Sequence, residues 1–260
     1  MNPPLSGWVP FTAAAATLLA TLVALFKEDV VKLWRRPRLS LRMTLAAPDC
    51  VQMPVVVRYR PVGPPDMYTA PSSGSFGFTP GVEQEEREER WTGGCYFFRL
   101  WVKNTGHLAE RVQVYVDSIS REMGDGHSEL VTDFIPMNLR WADSPSENPL
   151  IFETINPAMG RYCDFGSVSE PSNPTEILRD GMRQGESTFN LQTQVTPNTL
   201  GNRLKPGKYT IRLLIAASNA KPKRFTVTLD WSGRYQADTS RMFGEAVRLA
   251  VLEGSHGNHS

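Results

Sequence analysis

Apolar positions in this chain first run together and then alternate. Trp8 to Phe26 (WVPFTAAAATLLATLVALF) carries no charged residue. At ~1.5 Å rise per residue it makes a helix roughly 28 Å long, close to the ~30 Å hydrocarbon core of a bilayer. The pattern predicts an N-terminal transmembrane helix that continues through KEDVVKLWRR and stops before Pro37, because the residue before a proline is biased away from helix. Trp8 and Trp34 then flank the span as interfacial aromatics, with Arg35 and Arg36 at the headgroups. Ala16, Ala20 and Ala24 fall at i, i+4 and i+8, a stripe of small side chains that permits close helix approach and self-association.

From Leu39 the period becomes two. SLRMTLAA and PVVVRY open a series of strands, and CYFFRLWV puts Tyr96, Phe98, Leu100 and Val102 on one face. After Lys103-Asn104-Thr105-Gly106, whose chemistry suits a chain reversal, RVQVYVDSI alternates Val112, Val114 and Val116. GKYTIRLLIAA and KRFTVTLDW form a second pair, and NLRWAD, PLIFETI, MGRYCDFGSVS and STFNLQTQV supply shorter strands between breakers. Roughly seven to nine strands at this spacing predict a mainly β chain, an antiparallel immunoglobulin-like β-sandwich. Near the end, DTSRMFGEAVRLAVLEG offers an apolar side at helical spacing and predicts a C-terminal helix. The expected layout is an anchor and basic juxtamembrane helix over 1–38, a sandwich over 39–235 with a loop insertion at 61–93, a helix over 236–253 and a disordered tail over 254–260.

Charge changes the picture only locally. The 28 basic and 27 acidic side chains leave a net +1, so no global field draws the chain to nucleic acid. Six of the basic residues, however, lie between Lys27 and Arg42, and none precedes Trp8. By the positive-inside rule the long C-terminal domain stays in the cytoplasm, and with its one apolar span the chain is expected to be a single-pass protein of the inner (cytoplasmic) membrane. Cys50, Cys95 and Cys163 form no CxxC pair and no disulfide framework, which fits buried thiols in a reducing compartment.

Catalytic and cofactor motifs are missing from the sequence. The histidines and cysteines have no metal-ligand spacing, and His127 in GDGHSE reads as a loop residue. Asp164-Phe165-Gly166 spells a kinase tripeptide but lacks a Gly-rich phosphate loop, a VAIK-like strand and an HRD loop, so Asp164 reads as a strand or turn residue. Arg99, Trp101 and Lys103 alternate outward on one strand and read as a solvated sheet face. The expected pocket lies around Trp141 and Asp143 with Arg161 and Tyr162, where an aromatic beside a guanidinium would stack on and pair an anionic ligand.

At VKNTGHLAERVQVYV and LKPGKYTIRL the chain resembles bacterial immunoglobulin-like modules of the CARDB type. The matching positions are Val102, Asn104, Gly106, Ala109, Val112 and Val114, with Gly207 and Tyr209 opening a late strand. As a whole it resembles bacterial single-span membrane proteins with a basic WRRPRL-like junction and a cytoplasmic sandwich. The resemblance implies binding or scaffolding work and carries no catalytic residue across. The expected function is therefore a membrane-anchored, non-enzymatic binding or scaffold protein without cofactor or metal. Its expected partners are the lipid bilayer and a protein partner or a second copy of itself, with a small ligand as a further partner and no nucleic acid. Two other readings follow from the same layout. One is a ligand-sensing membrane effector that oligomerises through its helix, and the other an envelope-facing adhesion or assembly module.

Overall fold

The computed structural model describes residues 15–18, 20–21, 36–59, 89–142, 153–171 and 187–253. Two antiparallel sheets account for most of them. In the first, β3 (Glu89–Asn104) is central. Along one edge of β3 lie β1 (Leu39–Arg42) and β2 (Cys50–Tyr59), paired with its C-terminal and N-terminal halves respectively. Along the other edge lies β9 (Gly160–Ser169), which is flanked in turn by β7 (Arg140–Trp141) and β10 (Phe189–Leu191), with β11 (Arg203–Leu204) outermost.

The second sheet runs β14 (Val247–Glu253), β13 (Ala220–Trp231), β12 (Gly207–Ala217) and β4 (Ala109–Glu122). Three short strands share the far edge of β4: β5 (Ser128–Leu130), β6 (Met137–Asn138) and β8 (Glu153–Ile155). The alternating residues of β3, β4, β12 and β13 are buried and join side chains from both sheets in one core, giving a β-sandwich-like fold. Alternation alone accounts for this, because successive side chains on a strand point to opposite faces.

Three expectations need correction. The Asn104–Gly106 turn does not close a hairpin: β3 and β4 belong to different sheets, and the turn is a corner between them. The Asn104 side chain is buried there. Its Nδ2 donates to the carbonyls of His107 and Ile155, and its Oδ1 accepts from the backbone N–H of Arg38 and Gly106. With all these bonds made locally, the corner can leave the sheet without stranding buried polar groups. The late pair does form a hairpin, in register from Gly207↔Trp231 to Leu213↔Phe225 and beyond.

The insertion ends earlier than 93, because Tyr59↔Glu89 through Val55↔Gly93 continue the β2–β3 ladder. The C-terminal helix is shorter than 236–253. Asp238 caps a single turn, α1 (Thr239–Arg241), by accepting from the N–H of Arg241, and a π-helical turn follows over Met242–Ala246. Residues 247–253 then form β14, paired with β13 along its whole length. The reason lies in the sequence itself: Val247, Leu249 and Val251 also alternate, and a strand there satisfies the open hydrogen-bonding edge of β13. The segment between β13 and β14 straps the open side of the sandwich. Phe243 packs edge-on against Tyr96 and Phe98, and Tyr96 Oη donates to the carbonyl of Ala237.

Among the described residues no helix is long and apolar enough to cross a membrane. Most of the Trp8–Phe26 stretch lies outside them, as do Ala24, Trp34 and Arg35. Residues 15–18 and 20–21 are helical, and Ala16 and Ala20 are exposed. Thr21 Oγ1 donates to the carbonyl of Thr17 at 2.8 Å, so the helix satisfies this hydroxyl internally.

Candidate functional site

Of the four residues expected to form a pocket, Trp141 parts from Arg161 and Tyr162. Trp141 pairs with Cys163 across β7 and β9 and points with it into the core; it is 2% exposed, and its Nε1 has no hydrogen-bond partner among the described residues. Asp143 lies outside the described residues. Arg161 and Tyr162, one or two residues into β9, do line a cleft of about 250 Å³ together with Trp101, Ile155 and Met159.

Tyr162 is committed to structure. Its ring packs on Trp101 at 4.6 Å between centroids, with the Arg99 guanidinium 5.5 Å from its centre. Its hydroxyl donates to Oδ1 of Asp49 at 3.1 Å, while Oδ2 accepts from the N–H and Oγ1 of Thr44. Desolvation, followed by the hydrogen bond to the Asp49 carboxylate, raises the Tyr162 phenol above its ordinary pKa, which keeps it a neutral donor. The arrangement ties the β1–β2 loop to β9.

All three cysteines are free and buried. Burial pushes the Cys50 thiol up to about 12, with the Asp49 carboxylate adding to the effect, and pushes Cys163 well above its ordinary value. Thiols so placed hold their protons at neutral pH and are poor nucleophiles. No group of His, Cys, Asp and Glu among the described residues is arranged to hold a metal ion. His127 sits in an exposed loop beside Asp125, and Asp164 lies within β9 opposite Arg99.

A larger cavity, of about 420 Å³, opens where the C-terminal end of β4 meets the start of β12, the start of β10 and the loops around residues 131–133 and 199–205. This falls within the range of small-molecule sites. Arg121, Arg203 and Lys205 line it against the single carboxylate of Asp133. Arg121 is held in place: Nη2 donates to the carbonyl of Pro206 at 2.8 Å, and the guanidinium lies 5.8 Å from the centre of the Tyr209 ring. Tyr209 is 5% exposed, and its hydroxyl donates to the carbonyl of Lys205 at 2.8 Å. On the other wall Thr199 Oγ1 donates to the carbonyl of Asp133 at 2.6 Å. Gly201 lets the two loops meet there, since a Cβ on it would stand 2.2 Å from that same carbonyl oxygen.

An aromatic beside a guanidinium, the arrangement expected near Trp141, occurs at Tyr162 with Arg99 and again at Tyr209 with Arg121. The sequence signal was present in LGNRLKPGKY, where Arg203 and Lys205 are bracketed by Gly201 and Gly207. Arg121 lies some eighty residues earlier, and only the β4–β12 register, which sets Tyr209 opposite Arg121, brings the two together.

No protein-family model, no curated protein and no solved structure matches this chain. The likeness to CARDB-type modules therefore rests on the turn and strand residues that suggested it.

Proposed function

We propose that the chain is a membrane-anchored, single-pass binding or scaffold protein that works without catalysis. Its sandwich lies in the cytoplasm, with one pole against the bilayer and the opposite pole free to bind. The observation that carries this reading is where the segments before β1 and after β14 join the sandwich. Arg36 and Arg38 are stitched to the Asn104 corner: Arg36 O accepts from the N–H of His107, and Arg38 O from the N–H of Thr105. Lys223 Nζ reaches both the carbonyl of Leu39 and the carboxylate of Glu253. The residues leading from the apolar stretch and the end of β14 therefore leave the fold at the same pole. The larger cavity begins at Arg121, roughly 40 Å away along β4 at ~3.3 Å per residue.

The chemistry of the near pole supports the same orientation. Arg36, Arg38, Lys103, Arg111, Lys221 and Arg224 are exposed there, with Glu110 and Glu253 exposed acids among them. Leu108 and Met159 add exposed apolar side chains, 37% and 57% accessible. Basic residues near an anionic leaflet contribute about 1 kcal/mol each, and apolar side chains among them suit the headgroup boundary.

The test uses the full chain in cells. The native thiols are buried, so a Ser128→Cys variant offers an impermeant maleimide one exposed target. Retention of the chain in membranes through alkaline carbonate washing, with labelling only after lysis, is the expected result. Release by carbonate would remove the anchor, and labelling of intact spheroplasts would place the domain outside and favour an adhesion or assembly module.

A further inference from the structure

We infer that the cavity between β4, β12 and the 199–205 loop is a binding site for a small, multiply anionic ligand, one presenting phosphate or carboxylate oxygens. The inference rests on the binding-module reading and adds the chemistry of what is bound. Three of the lining side chains are cationic and one, Asp133, is a carboxylate, so the lining is predominantly basic in a chain whose net charge is +1. Such a lining within a concave, partly desolvated wall focuses the field and concentrates anions.

The cations differ in how they are held, and the difference points to recognition as well as charge. Arg121 is positioned by the Pro206 carbonyl and the Tyr209 ring. The backbone at Gly207 closes on it as well: a Cβ there would lie 3.0 Å from Arg121 Nε. Among the described residues the other N–H donors of Arg121 meet no acceptor. A planar guanidinium fixed in this way is organised for paired hydrogen bonds to a carboxylate or phosphate, at little cost in side-chain entropy. Lys205 is exposed at the rim and forms no ion pair among the described residues, so it supplies a mobile point charge. Thr199, whose hydroxyl proton goes to the Asp133 carbonyl, shapes the opposite wall and leaves the donating to the cations. Glu129 stands opposite Arg121 in the β4–β5 register but does not line the cavity.

The competing anion-binding surface is the basic pole at the other end of the molecule, and the experiment separates the two. The full chain, purified in a neutral detergent, is titrated calorimetrically with inorganic pyrophosphate and, separately, with citrate. Saturable binding of at least one probe at a Kd of about 1 mM or tighter is expected. Lys205→Ala is expected to weaken it about fivefold and Arg121→Lys about tenfold, the latter because the charge remains while the fork is lost. Lys221→Ala, at the basic pole, is expected to leave it within about twofold. Preference for pyrophosphate or for citrate identifies the ligand as a phosphate or a polycarboxylate. Absence of saturable binding by both probes at 10-fold that concentration would overturn the inference, as would binding lowered by Lys221→Ala but not by Lys205→Ala. The membrane reading is unaffected by either result, because the titration takes place in detergent and does not depend on topology.

Discussion

The two poles of the sandwich are both basic, yet they are built on opposite principles. At the pole where the chain enters, polar groups are consumed: Asn104 spends its whole hydrogen-bonding capacity on Arg38, Gly106, His107 and Ile155, and Asn219 links the β12–β13 turn to Leu108 and Glu110. The cations there stand outward on a closed surface. At the far pole the loops meet at Gly201 and Asp133 but leave a cavity lined by the held guanidinium of Arg121 and by Arg203 and Lys205. Charge of the same sign thus serves different ends. A closed, stitched corner with charge outside suits a broad surface such as a leaflet, whereas an open corner with charge inside suits a ligand that can be surrounded.

The widest separation of the poles comes from Asn104→Ala. It removes one side chain and leaves two carbonyls and two N–H groups at the corner without their partner. The expected loss is about 3 kcal/mol, since orphaned buried groups carry their full desolvation penalty. In a domain of this size that lowers the melting temperature of the full chain by roughly 6–12 °C. The pyrophosphate affinity of the folded protein is expected to stay within about twofold, because the corner is too far away to couple. An equal loss of affinity would show that the poles are one cooperative unit.

Gly201→Ala acts in the other direction. A Cβ 2.2 Å from the Asp133 carbonyl oxygen and 2.6 Å from the Phe134 nitrogen forces the two loops apart, because backbone cannot swing aside as a side-chain tip does. Calorimetric melting should register about 1–2 kcal/mol, the usual cost of overpacking. Probe affinity should fall by more than fivefold, as donors set for one ligand size drift apart. A variant that melts early yet binds normally would separate the cavity from ligand recognition.

The sequence carried the sandwich-like fold further than it carried the cavity, and particular residues show why. Tyr96, Phe98, Leu100 and Val102 bury one face because strand alternation is a local property, readable within a few positions. Asn104 and Gly106 announced a turn, but whether a turn joins neighbours in one sheet or crosses to another depends on which strands claim the adjacent edges. Here β3 pairs with β1, β2 and β9, and β4 pairs with β12. The last segment satisfied both periods, since Met242 and Ala246 sit on a helical face while Val247, Leu249 and Val251 alternate; the open edge of β13 decided the outcome. The site was least legible. Trp141 and Tyr162 look equivalent in sequence, but strand parity sends the first into the core and the second outward. Arg121 and Tyr209 are joined only by long-range register.

The smallest effect belongs to Lys223, and it sharpens the contrast between stitching and charge at the entering pole. Lys223 Nζ contacts Glu253 at 2.6 Å and the Leu39 carbonyl at 3.4 Å, joining the first and last strands of the domain. Its position gives it the look of a clamp. Yet the Glu253 side chain is 61% exposed and that of Lys223 32%, so water and salt screen the pair and ordering two long side chains offsets most of the attraction. Lys223→Ala is expected to cost no more than about 0.5 kcal/mol, a shift in melting temperature of roughly 1–2 °C that shrinks further in high salt. Beside Asn104→Ala at the same pole, this leaves the segment entering β1 held by the hydrogen bonds of the Asn104 corner, with the ion pair playing the smaller part. A loss for Lys223→Ala comparable to that for Asn104→Ala would reverse that assignment and make the β1–β14 seam the true attachment of the N-terminal segment.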